Sequence, residues 1–176
     1  MRLIAILLAC ASLALNACSA EKIVADDSPA KVDLEQVLVT GKVAPVSGIT
    51  PAGQPDAAAL KVFADNGYGV VIDLRRPGED RWLDERATVE GLGMTYVNMP
   101  IGGDGINFES ARALDELLAG FDEPVLLHCG SSNRVGALLA LRASLAGADD
   151  EEALRIGKKA GLSSLESAVI DALNGK

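Results

Sequence analysis

The chain holds one histidine, and it stands directly before a cysteine: His128-Cys129, followed by Gly130, Ser131, Ser132, Asn133 and Arg134. An apolar run, Val125-Leu126-Leu127, delivers this group, and the apolar pattern of a helix follows from Val135. A cysteine at the mouth of a small polar loop that ends in a guanidinium is equipped for nucleophilic chemistry on an anion. Successive loop N–H groups, a helix N-terminus and a cation all favour the thiolate form. The same groups form a nest for a tetrahedral oxyanion, and the planar fork of Arg134 can grip two of its oxygens. Gly130, Ser131, Ser132, Asn133 and Arg134 are the expected anion-binding residues, with Cys129 beneath the anion's central atom, poised for in-line attack.

His128 precedes the nucleophile on a strand, so its side chain points to the opposite sheet face. It is expected to orient the loop rather than act as a base. An alkoxide or phenoxide leaving group needs a proton donor. Asp104, in the run Gly102-Gly103-Asp104-Gly105, is the first candidate and Glu109 the second; a turn aspartate with no catalytic role is the alternative for Asp104.

Regular elements must bring these groups together. Asp56 caps a helix over 57–66, stopped by Gly67. Gly69–Leu74 reads as a buried, parallel strand. Further helices are expected over 84–92, 109–118, 135–145, 150–160 and 163–173, and strands over 94–99 and 124–128. Val37–Val43 reads as a short strand, and Gly48, Pro51, Gly53 and Pro55 as a loop. Strands alternating with helices specify an α/β domain with a central, mainly parallel sheet flanked by helices. In such sheets reactive groups lie at the C-terminal strand ends. The Arg75-Arg76 loop, the Asp104 loop and the Cys129–Arg134 loop all fall there.

Met1-Arg2 and the apolar run Leu3–Leu15 have the layout of a secretory signal, too short to span a bilayer. Leu15-Asn16-Ala17-Cys18 resembles a lipoprotein cleavage box. Residues 1–17 are therefore expected to be a signal peptide, 18–35 a flexible tether, and 36–176 the folded domain. Cys18 would be the lipidation site of an exported, periplasmic, membrane-tethered protein; simple secretion is the alternative. Loss of Cys10 and acylation of Cys18 would leave Cys129 as the one free thiol, which excludes a disulfide framework and a Cys/His zinc site. The 176 residues carry a net charge of −9, which disfavours nucleic acid and anionic membrane surfaces as partners.

These residues resemble the bacterial branch of the dual-specificity and tyrosine phosphatase-like family, the phosphatase-like domain also found with beta-lactamase-like hydrolase and NAD-kinase partners. The landmarks are Gly53-Gln54-Pro55, Val71-Ile72-Asp73-Leu74-Arg75, Tyr96-Val97-Asn98-Met99-Pro100, His128-Cys129 through Arg134-Val135-Gly136-Ala137, and Gly161-Leu162-Ser163-Ser164-Leu165-Glu166. The resemblance implies a cysteine-phosphatase-like fold and hydrolysis of phosphate monoesters through a phosphocysteine. Cys129 would attack phosphorus, Arg134 stabilise the transition state and Asp104 protonate the leaving group. No cofactor or metal would be needed, and the substrate would be a phosphorylated small molecule or protein. Three departures matter. Four residues separate Cys129 from Arg134, where the common phosphatase loop has five. Four is also the spacing of rhodanese-like sulfurtransferases. Ser132 replaces an expected loop glycine, and Val135 replaces a hydroxyl residue. A sulfurtransferase and a non-catalytic anion-binding module therefore stay open beside the phosphatase.

Overall fold

The computed structural model describes residues 26–175; the signal peptide and Cys18 expected from the sequence lie outside them. Four strands form one parallel sheet: β1 (Ile49–Ala52), β2 (Val70–Asp73), β3 (Thr95–Asn98) and β4 (Val125–His128), in the order β1-β4-β2-β3. The helices are α1 (Leu34–Thr40), α2 (Ala57–Asp65), α3 (Glu85–Gly91), α4 (Phe108–Leu118), α5 (Asn133–Leu145), α6 (Asp150–Lys159) and α7 (Glu166–Asn174). The α/β layout expected from the alternating pattern is the one observed.

β4 lies between β1 and β2, and all its residues are buried. Its side chains alternate between two cores. Val125, Leu127 and Cys129 join the core built with α4, α5 and α7, whereas Leu126 joins Leu60, Phe63 and Val89 on the opposite face. This alternation sends His128 and Cys129 to opposite sides of the sheet. α5 and α6 pack at backbone distance. A methyl group on Gly136 would stand 2.2 Å from Leu162 N and 2.5 Å from Gly157 O, so only glycine fits there.

Two expected elements differ. Of the segment read as a strand over 37–43, residues 37–40 belong to α1 and the rest follows its end. Asp33 caps that helix by accepting from the N–H groups of Glu35 and Gln36, and Gly41 closes it at φ 63°. Residues 49–52, read as loop, form β1. Its Pro51 is tolerated because β1 is an edge strand. The stretch read as a tether is packed from Asp26 onward. Asp26 pairs with Arg155 and Lys159, and Lys31 N–H donates to the Lys159 carbonyl at 2.9 Å.

Candidate active site

Cys129 follows the last residue of β4 and is 1% exposed. The chain then turns through Gly130 and Ser131, which are exposed, to the buried Ser132, which precedes the first residue of α5. Ser132 has φ 72°, a left-handed conformation costly for a residue with a side chain. Its hydroxyl compensates by donating to the Ala160 carbonyl at 2.8 Å. Asn133 ties the same loop to the turn before α7. Its Nδ2 donates to Ser164 Oγ at 2.7 Å, and its Oδ1 accepts from Ser163 N–H at 2.8 Å and Leu165 N–H at 3.4 Å. On the β1 side, Gln54 N–H donates to the Gly130 carbonyl at 3.2 Å.

Arg134 lies in the first turn of α5, and its guanidinium turns back to the strand ends. Nη1 donates to the Ile101 carbonyl at 3.1 Å and to Glu79 Oε1 at 2.6 Å; Nη2 donates to Glu79 Oε2 at 2.6 Å. The guanidinium also folds over the loop, where a methyl group on Gly130, the residue after Cys129, would stand 3.8 Å from Arg134 Nη2. The hydrogen bond that Arg134 donates to Glu79 is the main cause raising the Arg134 pKa above its ordinary value, against the effect of burial. In return Arg134 holds Glu79 down at about 2.

Glu79 is set by a tight turn. Its N–H donates to the Arg76 carbonyl at 3.3 Å, its carboxylate accepts from Arg76 N–H at 2.8 Å, and Gly78 supplies φ 87°. Arg76, Glu79, Gly102, Ser131, Asn133 and Arg134 are among the residues lining a cavity of about 390 Å³. This puts the three loops expected at the C-terminal strand ends around one opening. Asp104 is exposed in a 3-10 turn over Gly103–Gly105. Its carboxylate folds back over Gly102, where an added methyl would come 2.3 Å from Oδ1. Its neighbours Gly102 and Gly103 line the cavity, whereas Asp104 itself is not among the lining residues. Glu109 lies in the first turn of α4, away from that lining.

Behind the sheet lies a buried charge cluster that the sequence reading did not single out. Arg75 Nε donates to Asp73 Oδ1 at 2.8 Å and Nη2 to Asp73 Oδ2 at 2.9 Å; Nη2 also donates to Glu85. Tyr96 Oη donates to Asp73 Oδ2 at 2.8 Å. Burial opposes the charge on Asp73, but Arg75, His128 and Tyr96 outweigh it and hold the carboxyl at about 2. His128 Nε2 stands 2.6 Å from Glu85 Oε1. Asp73, Glu85 and His128 present donor atoms within 4.8 Å of one another, as a metal centre would. The Arg75 guanidinium already lies against both carboxylates, so the positive charge they need is in place.

The fold is that of the cysteine-dependent phosphatases. Among solved structures, the chain superposes on Pseudomonas aeruginosa TpbA in complex with phosphotyrosine with a TM-score of 0.58 and 19% identity, covering 72% of this chain and 78% of that one. It also superposes on Tk-PTP in its active form, with a TM-score of 0.54 and 19% identity over 73% of this chain and 92% of that one. Among curated proteins, the beta-lactamase hydrolase-like protein of Xylella fastidiosa is 32% identical over 113 residues, 58% of this chain. That of Agrobacterium fabrum is 29% identical over 103 residues. The chain spans about a quarter of the length of these curated relatives. No protein-family model matches it.

Proposed function

We propose that the protein is a cysteine-dependent phosphomonoesterase. One observation carries the reading. The Arg134 guanidinium lies over the loop that begins at Cys129, 3.8 Å from where a methyl group on Gly130 would stand, beside a cavity at the C-terminal end of a parallel sheet. An anion held by Arg134 would lie over the sulfur.

The reaction has two displacements. Cys129 sulfur attacks phosphorus and the ester P–O bond breaks; Asp104 gives its proton to the departing oxygen. Water then attacks phosphorus, the S–P bond breaks, inorganic phosphate leaves, and Asp104 takes up the proton that water releases. Arg134 and the N–H groups from Gly130 to Asn133 offset charge on the equatorial oxygens in both steps. We further propose that the enzyme acts in the periplasm, tethered through Cys18, on the strength of the Leu15–Cys18 box.

The test is hydrolysis of para-nitrophenyl phosphate between pH 5 and 8. Wild type should turn over, Cys129→Ser should not, and Asp104→Asn should lose roughly 10²-fold or more in kcat. Absence of wild-type turnover would sink the proposal for simple esters. The four-residue loop favours a second reading, sulfur transfer. Thiocyanate formed from thiosulfate and cyanide, and lost in Cys129→Ser, would establish that instead. Phosphate binding without either activity would leave an anion-binding module.

A further inference from the structure

His128 is 0% exposed and its neighbour Glu85 2%. Their facing atoms, Nε2 and Oε1, are 2.6 Å apart; neither of them, nor His128 Nδ1, forms a well-aligned hydrogen bond within the described residues. Buried polar atoms without such a partner are rare and costly, so this contact is one the fold retains at a price in desolvation. It bears on the nucleophile directly. The His128 carbonyl accepts from Leu74 N–H at 2.9 Å, and Cys129 is the next residue. The imidazole and the sulfur thus hang from adjacent residues whose shared peptide is tied to Leu74.

The origin of Glu85 sharpens the point. It is the first residue of α3 and only six positions beyond Glu79. One segment, running from Arg75 to Glu85, therefore grips the site twice. Glu79 holds the guanidinium from the cavity side, and Glu85 meets the histidine from behind the sheet. Arg75, bonded to Asp73 and Glu85, fixes the carboxylate that faces His128.

We propose that Glu85 is a positioning residue for the nucleophile, acting through His128. The inference rests on Cys129 being that nucleophile. Glu85 does not touch a substrate; it sets the imidazole, and the imidazole sets the turn from which the sulfur is presented. Nucleophile placement governs the chemical step, whereas anion capture belongs to the loop N–H groups and Arg134. Loss of Glu85 should therefore lower kcat and spare KM.

The experiment compares wild type, Glu85→Gln, Glu85→Asp, His128→Asn and the Glu85→Gln/His128→Asn double variant, all as full chains. Gln keeps the size of Glu and leaves the Asp73–Arg75 bonds in place, and thermal melting reports whether each variant is folded. With para-nitrophenyl phosphate, Glu85→Gln should lose roughly tenfold in kcat with KM within about twofold. Glu85→Asp should recover part of the loss, and the double variant should be no slower than His128→Asn alone. Full wild-type kcat in folded Glu85→Gln, or additive losses in the double variant, would overturn the proposal. The rate of iodoacetamide alkylation at Cys129, read by mass spectrometry, separates the two ideas. If wild type turns over no ester, the phosphatase reading fails. An alkylation rate in Glu85→Gln about threefold or more from wild type, not changed further by adding His128→Asn, would still uphold the positioning role. An unchanged rate would end it.

Discussion

Glu79 and Arg134 meet fork to fork, Oε1 with Nη1 and Oε2 with Nη2, each at 2.6 Å. The end-on grip uses both terminal nitrogens and fixes the plane of the guanidinium before any anion arrives. Two parallel, charge-assisted bonds are the geometry in which arginine is most firmly oriented. Removing the carboxylate charge should free the arginine to sample other rotamers. Glu79→Gln is expected to weaken binding of inorganic phosphate roughly tenfold, about 1.4 kcal/mol, measured by isothermal titration. Tighter binding in the variant would show that Glu79 competes with the anion instead of preparing its site.

Acid should loosen the site and the fold together. Glu79 is lowered from 4.5 to about 2 by Arg134, and Asp73 from 3.8 to about 2 by Arg75 and its neighbours against the pull of burial. A depressed folded-state pKa means that the unfolded chain takes up protons first. The stability these two carboxylates contribute is complete above about pH 5 and drains as the pH falls toward 2. Melting temperatures recorded from pH 6 to 2 should therefore decline, and Glu79→Gln should flatten part of the slope. A level profile below pH 4.5 would contradict this.

Ser132 combines a strained backbone with a compensating bond. Its φ of 72° disfavours any side chain, whereas its hydroxyl satisfies the Ala160 carbonyl at 2.8 Å. Ser132→Ala keeps the strain and loses the bond, which should cost about 1 kcal/mol. Ser132→Gly loses the bond but also the strain, so it should be about 1 kcal/mol more stable than the alanine variant. Denaturant titrations would settle the order, and an alanine variant more stable than glycine would refute it.

Much of this was legible before the structure. β2 and β4 are continuous apolar runs bounded by turn residues, and α2 has a cap, an apolar face and a glycine stop. Those signals are local, and the elements appear where they point. β1 was hidden because Pro51 and the glycines around it look like loop, yet an edge strand tolerates the missing N–H. α1 was hidden because Val37 and Val39 favour a strand, while the Asp33 and Gly41 caps decide otherwise. The site divides the same way. Cys129, Arg134 and the loop between them form one contiguous motif. Glu79 and Glu85 are distant in sequence from that motif and sit in a charged, aperiodic stretch. Their role comes from the crossover that lays residues 75–85 beside β4, and neither periodicity nor spacing signals it.

One wall of the Cys129–Arg134 loop is built from residues 160–165. Ser132 bonds to Ala160, and Asn133 to Ser163, Ser164 and Leu165. A nascent chain that has emerged only as far as Asp150 already contains every strand, the thiol and the guanidinium, but none of these bonds. Synthesis through Leu165 is then what completes the site. A polypeptide released early would present Cys129 in a loop held from the Gln54 and Glu79 sides alone.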